Sequence, residues 1–160
     1  MIGAAATLTA NWITARSQQK VETSKQSAAN TEVRRSACAE YLATLYALQD
    51  NMREVIRICR NVREEQQVED SYQEYLTTWK ALHEKCAPVV LAGPAALADL
   101  ANDARQKIAE PAGAVDDVYS AFKRGAQKLH TDKYFIAARG AEEAVNKFAT
   151  AAMDGLNPRS

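Results

Sequence analysis

Residues 38–62, CAEYLATLYALQDNMREVIRICRNV, decide the fold. Cys38, Leu45, Met52 and Cys59 recur every seven positions, and Tyr41, Leu48, Val55 and Val62 form a second seven-spaced row three residues later. Two such rows are the a and d positions of a heptad, so one stripe of an α-helix is apolar throughout this stretch. Leu42 and Ile56 widen the stripe on one flank and Ile58 touches the other. That width predicts a helix in a bundle rather than a bare two-stranded coiled coil. The helix is expected from about Thr31 to about Glu65.

Towards the C-terminus the same periodicity returns three more times. A polar, charged turn is expected near 64–69. A second helix follows, with apolar rows Val68, Tyr72, Tyr75, Leu76, Trp79, Leu82, Cys86 and Val89. Pro88 lacks a backbone donor and presses on the preceding turn, so a kink or stop is expected there, with 89–92 as a short apolar continuation. Gly93-Pro94 opens a third helix, since proline suits a first helical turn. Asp99 near that end complements the helix dipole. Its rows are Leu97, Leu100, Ala101, Ala104 and Ile108, then, past Pro111 and Gly113, Val115, Val118, Tyr119, Phe122, Ala126 and Leu129. This reads as one kinked helix or two in line. Thr131 or Asp132 caps a last helix carrying Tyr134, Ala138, Ala141, Val145, Phe148 and Ala152, which stops at Gly155–Pro158. The fold class that follows is all-α: an antiparallel up-and-down bundle of about four helices over residues 33–156, with a long N-terminal helix.

Composition agrees. The 160 residues are 47% hydrophobic and 25% charged, ordinary for one folded domain. Glycine is scarce and Asn-Gly is absent, so an all-β reading fails. Lys+Arg and Asp+Glu are equal at 20 each, which argues against a nucleic-acid partner. Residues 1–62 hold eight basic and five acidic side chains, a mild surplus that suits an anionic membrane surface. Cys38, Cys59 and Cys86 are odd in number, widely spaced and without a C-x-x-C, and read as reduced, buried small side chains.

Residues 1–15, MIGAAATLTANWITA, carry no charge, and Arg16, Lys20 and Lys25 follow. An uncharged run with a basic flank and Trp12 near its polar end has the pattern of a membrane segment whose C-terminal side is cytoplasmic. As a helix the run reaches only about 22 Å against a hydrocarbon core of about 30 Å. It reads as the end of a spanning helix with its first turns missing, or as an interfacial helix, or as a packing element. Residues 16–32 are polar and uninterrupted by Pro or Gly, and read as a helical stalk or a linker.

No chemistry-bearing motif stands out. His83 and Cys86, three apart, are half of a zinc site with nothing to complete it. Neither His83 nor His130 belongs to a Glu-x-x-His pair, which removes the di-iron bundle class. There is no G-x-S-x-G, P-loop or G-x-G-x-x-G. No catalytic, metal or cofactor residue is assigned. Asp116-Asp117 and Glu142-Glu143 read as solvated faces. Arg34-Arg35 and then Arg53, Arg57, Arg60 and Arg63 line the long helix, with Glu32, Glu54 and Glu64 in reach to pair them. What is not paired would meet anionic lipid or a partner's acidic surface. The candidate contact residues are therefore Trp12, Arg16, Lys20, Arg53, Arg57 and Arg60.

The order of an apolar segment ending N-W-I-T-A-R, a polar stretch, then R-R-S-A-C-A-E-Y-L-A-T-L and a Leu/Ala-rich bundle resembles uncharacterised small membrane-anchored proteins of actinobacteria. Trp12, Ile13, Thr14, Arg16, Arg34, Arg35 and Tyr41 carry the resemblance, over the first third of the chain. The short anchor departs from the pattern. The resemblance implies a topology and no activity. The expected function is a non-enzymatic, membrane-associated helical scaffold or interaction module, with the bundle on the cytoplasmic side and a protein partner or a second copy bound, the latter through the 38–62 seam if other helices leave it open. The alternative is a soluble bundle that binds a small ligand between tyrosines and Trp79 near Pro88 and Pro111.

Overall fold

The computed structural model describes residues 3–61 and 64–156, with side chains for residues 22, 25–61 and 64–155. They form four helices: α1 (Gly3–Asn61), α2 (Glu65–Ala92), α3 (Ala95–Lys123) and α4 (Asp132–Leu156). The chain divides into two compact units, Met1–Val33 and Arg34–Ser160. In the first, the side chains described at 25–30, 32 and 33 are exposed and Thr31 is half-buried. Thr31 Oγ1 donates to the Ser27 carbonyl at 2.9 Å, the usual outlet for a hydroxyl within a helix.

In the second unit, specific contacts fix the topology. Lys85 Nζ pairs with Glu40 at 2.6 Å and Asn51 donates to Thr78 at 2.9 Å, so α1 and α2 run antiparallel. Tyr72 reaches Asp116 at 3.0 Å and Lys123 reaches Glu65, so α2 and α3 do too. The Tyr41 hydroxyl donates to the Ala101 carbonyl at 2.8 Å, and its ring meets Phe148 edge-on at 5.3 Å. Residues 34–156 are thus an up-and-down bundle. Both heptad rows of α1 face inward: Cys38, Tyr41, Leu45, Leu48, Met52, Val55 and Cys59 are buried in one core with Leu82, Ile108, Val115, Val145 and Phe148. Burying each large member stabilises by roughly 1.5–3 kcal/mol. The seam, as far as Cys59, is therefore covered by the chain's own helices. Val62 lies outside the described residues.

Three local expectations are corrected. The turn expected at 64–69 is helix from Glu65, because Glu and Gln are good helix formers and Val68 is fully buried. Pro88 does not stop α2, which continues to Ala92; the proline is exposed and near the end, where few backbone bonds follow it. The stop is Gly93, where a Cβ would lie 2.7 Å from the Val89 carbonyl oxygen. Of the two alternatives for α3, the single helix holds, with Pro111 and Gly113 both inside it. That helix ends at Lys123 rather than carrying on through Ala126 and Leu129, because Gly125 adopts φ +72°, the left-handed conformation open to glycine.

Candidate functional site

The three cysteines are free and buried. Burial raises the Cys38 thiol, with Arg34 opposing, and pushes Cys59 up to about 11. A thiol held protonated in a core is a poor nucleophile. Cys86 is buried while His83 is exposed and meets Trp79 edge-on at 5.3 Å, so their side chains lie in different environments. Among the described residues no three His, Cys, Asp or Glu side chains gather as metal ligands do.

The tyrosines spend their hydroxyls on each other's surroundings. Tyr72 stacks on Tyr119 at 3.6 Å and donates to Asp116, while Tyr119 donates to Glu69. Tyr75 reaches the Ala112 carbonyl at 3.4 Å. Asp116 is therefore a tertiary acceptor and not simply a solvated charge, whereas Asp117, Glu142 and Glu143 are exposed as expected. Burial first, then Asp116, pushes Tyr72 up to about 12; the bond to Glu69, then burial, does the same for Tyr119. The same bond holds the Glu69 carboxyl below its usual range. This network fastens α2 to α3 and leaves its polar groups occupied.

The arginine face of α1 has a different character. Arg53 pairs with Asp50 at 2.8 Å, and Arg57 grips Glu54 through Nε and Nη2 at 2.7 and 2.6 Å. Arg57 holds the Glu54 carboxyl below its usual range. Arg60 makes no ion pair with a described residue. With Ile56 and with Phe135 of α4, these residues line an open cleft of about 450 Å³. A neighbouring cleft of about 190 Å³ shares Arg53 and Phe135 and adds Met52, Tyr134, Arg139 and Glu142. Helical geometry turns Tyr134 into the core but leaves Phe135 49% and Ile136 77% exposed. The result is a shallow furrow between α1 and α4, floored by apolar carbon and rimmed by guanidinium groups.

The structure thus brings together Arg53, Arg57 and Arg60. The side chains of Trp12, Arg16 and Lys20 lie outside the described residues, as does Arg63. Sequence reading missed Phe135 and Ile136; the signal was three consecutive large apolar side chains, 134–136, where an amphipathic helix has room for one or two. Among the described residues no helix is long and apolar enough to cross a membrane. Compared with known proteins, the chain matches no family model, no curated protein and no solved structure.

Proposed function

We propose that this chain is a non-enzymatic, membrane-associated helical interaction module whose bundle lies on the cytoplasmic side and takes a protein partner in the α1–α4 furrow. The observation that carries the reading is the half-exposed Phe135 ring lying in one cleft with the Arg53–Arg57–Arg60 rim. A binding surface of this kind supplies apolar area at its centre and charge at its edge. The complementary partner presents an apolar side chain to Phe135 and a carboxylate to Arg60. The Asp50–Arg53 and Glu54–Arg57 pairs are exposed to solvent, so an incoming carboxylate can displace them at little cost. The membrane part of the reading is supported by the uncharged run at 1–15, its basic flank, and the resemblance to small membrane-anchored proteins. Trp12, Arg16 and Lys20 are the residues proposed to meet the membrane surface.

A photo-crosslinking side chain placed at Phe135, with Lys80 as the control position, tests both parts when intact cells are irradiated and then fractionated. The reading expects a discrete adduct from 135 that travels with the membranes, and none from 80. Equal labelling at both positions, or an adduct-free protein wholly outside the membrane fraction, contradicts it.

A further inference from the structure

A second candidate site lies where α1 and α3 end and α2 and α4 begin. A cleft of about 800 Å³ opens there, walled by Cys59, Phe122 and Leu129 and edged by Arg60 and Lys128. Ligand pockets commonly run about 300–1,000 Å³. A smaller cleft of about 190 Å³ on the other side of the loop shares Lys128 and adds His130 and Lys133. Several cations gather at this end of the bundle. Arg53, Arg57, Lys85, Lys107 and Lys123 each hold a carboxylate, whereas Arg60, Arg124, Lys128 and Lys133 have none among the described residues. The carboxylates at this end include Glu64, Glu65, Glu69, Asp117 and Asp132; Lys123 takes Glu65 and Glu69, and Glu64 accepts from Gln67.

We propose that this end of the bundle binds a phosphate monoester bearing an apolar group, with the phosphate held between Arg60 and Lys128 and the apolar part laid on Phe122 and Leu129. The chemistry favours this class. A guanidinium forks two oxygens of a phosphate and an ammonium adds a point charge. A plain anion would leave the apolar wall wet, and a plain hydrocarbon would leave two cations without a counter-ion. The ester's source is either a lipid headgroup or a free small molecule, and the two share these contacts. The site stands apart from the α1–α4 furrow except at Arg60.

The full chain is titrated calorimetrically with octyl phosphate below its micellar concentration, and separately with inorganic phosphate and with octanol. Octyl phosphate is expected to bind saturably, about tenfold or more tighter than either fragment. The doubly substituted Arg60→Ala/Lys128→Ala chain should lose about tenfold or more in affinity, since charge-assisted bonds are removed. Lys80→Ala, on the flank of the bundle, should change nothing. Arg60 and Lys128 are exposed, so unchanged far-UV circular dichroism is expected for both variants. Leu129→Ala should weaken octyl phosphate while leaving inorganic phosphate as it was. Vesicles with and without phosphatidic acid then separate the sources: capture that depends on Lys128 assigns the headgroup, and its absence beside saturable octyl phosphate binding assigns the free ester. The proposal is overturned if octyl phosphate binds no better than inorganic phosphate, or if Lys80→Ala costs as much as the double substitution.

Discussion

Tyr41 is the residue whose alteration probes the bundle most fully. It is completely buried, its hydroxyl donates to the Ala101 carbonyl at 2.8 Å, and its ring packs edge-on against Phe148, so one side chain ties α1 to both α3 and α4. Tyr41→Phe removes only the hydroxyl. The Ala101 carbonyl also sits inside a helix, where it accepts from the amide four residues on, so it is not orphaned. The expected loss is therefore about 0.5–1.5 kcal/mol, the net worth of one hydrogen bond. Tyr41→Ala opens a cavity as well, and should cost about 3–5 kcal/mol. Against a total stability of about 5–15 kcal/mol this brings the domain close to unfolding. Guanidinium denaturation followed by circular dichroism measures both. A cycle of Tyr41→Leu, Phe148→Leu and the double variant isolates the ring contact, for which a coupling of about 0.5–1.5 kcal/mol is expected. A loss below about 1 kcal/mol for Tyr41→Ala, or a coupling indistinguishable from zero, would refute the packing of α1 against α4, since a buried aromatic truncation does not otherwise cost so little.

Four further outcomes follow from local chemistry. Tyr119→Phe should move the Glu69 carboxyl back towards the ordinary glutamate range, read by carboxyl NMR titration, because the phenol is the first cause of that lowering, ahead of Gln73 and Lys123. With Tyr72 and Tyr119 raised to about 12 against about 10 in an unfolded chain, they stabilise the neutral bundle fully below the unfolded value; that stability is lost as pH rises from about 10 through about 12, visible as tyrosinate absorbance appearing together with loss of helix. A thiol reagent at neutral pH should label Cys38, Cys59 and Cys86 only at the rate of unfolding, and prompt labelling would contradict their burial. Pro88→Ala should raise the thermal midpoint, by up to about 3 kcal/mol of stability, because an exposed proline inside a continuous helix loses a backbone bond and gains no packing.

What the sequence disclosed is whatever repeats along one chain. The heptad rows of α1 as far as Cys59, and the rows of α4 apart from half-buried Ala138, name buried residues correctly, because periodicity is set by the helix alone. What it withheld depends on other elements or on position within one. The effect of Pro88 turned on its nearness to a helix end, and the run 64–69 looked like a turn because its polarity reports exposure rather than conformation. The end of α3 was readable at Lys123-Arg124-Gly125, a basic last turn followed by glycine, had the apolar spacing of Ala126 and Leu129 not masked it. The Tyr72–Asp116 and Tyr119–Glu69 pairings join residues more than forty positions apart and had no local trace. The α1–α4 furrow was half legible: its arginines share a helical face, but Phe135 becomes their neighbour only once α4 docks.

The account rests on residues 34–156 forming a core that closes on itself, and native-state hydrogen exchange on the full chain in detergent-free buffer addresses this most directly. Amides of α1 from Tyr41 to Val55 and of the central turns of α2, α3 and α4 should exchange only through global unfolding, while those between Lys25 and Val33, whose described side chains are almost all exposed, should exchange far faster. Fast exchange between Tyr41 and Val55, or protection across 25–33 equal to that of the core, would contradict it.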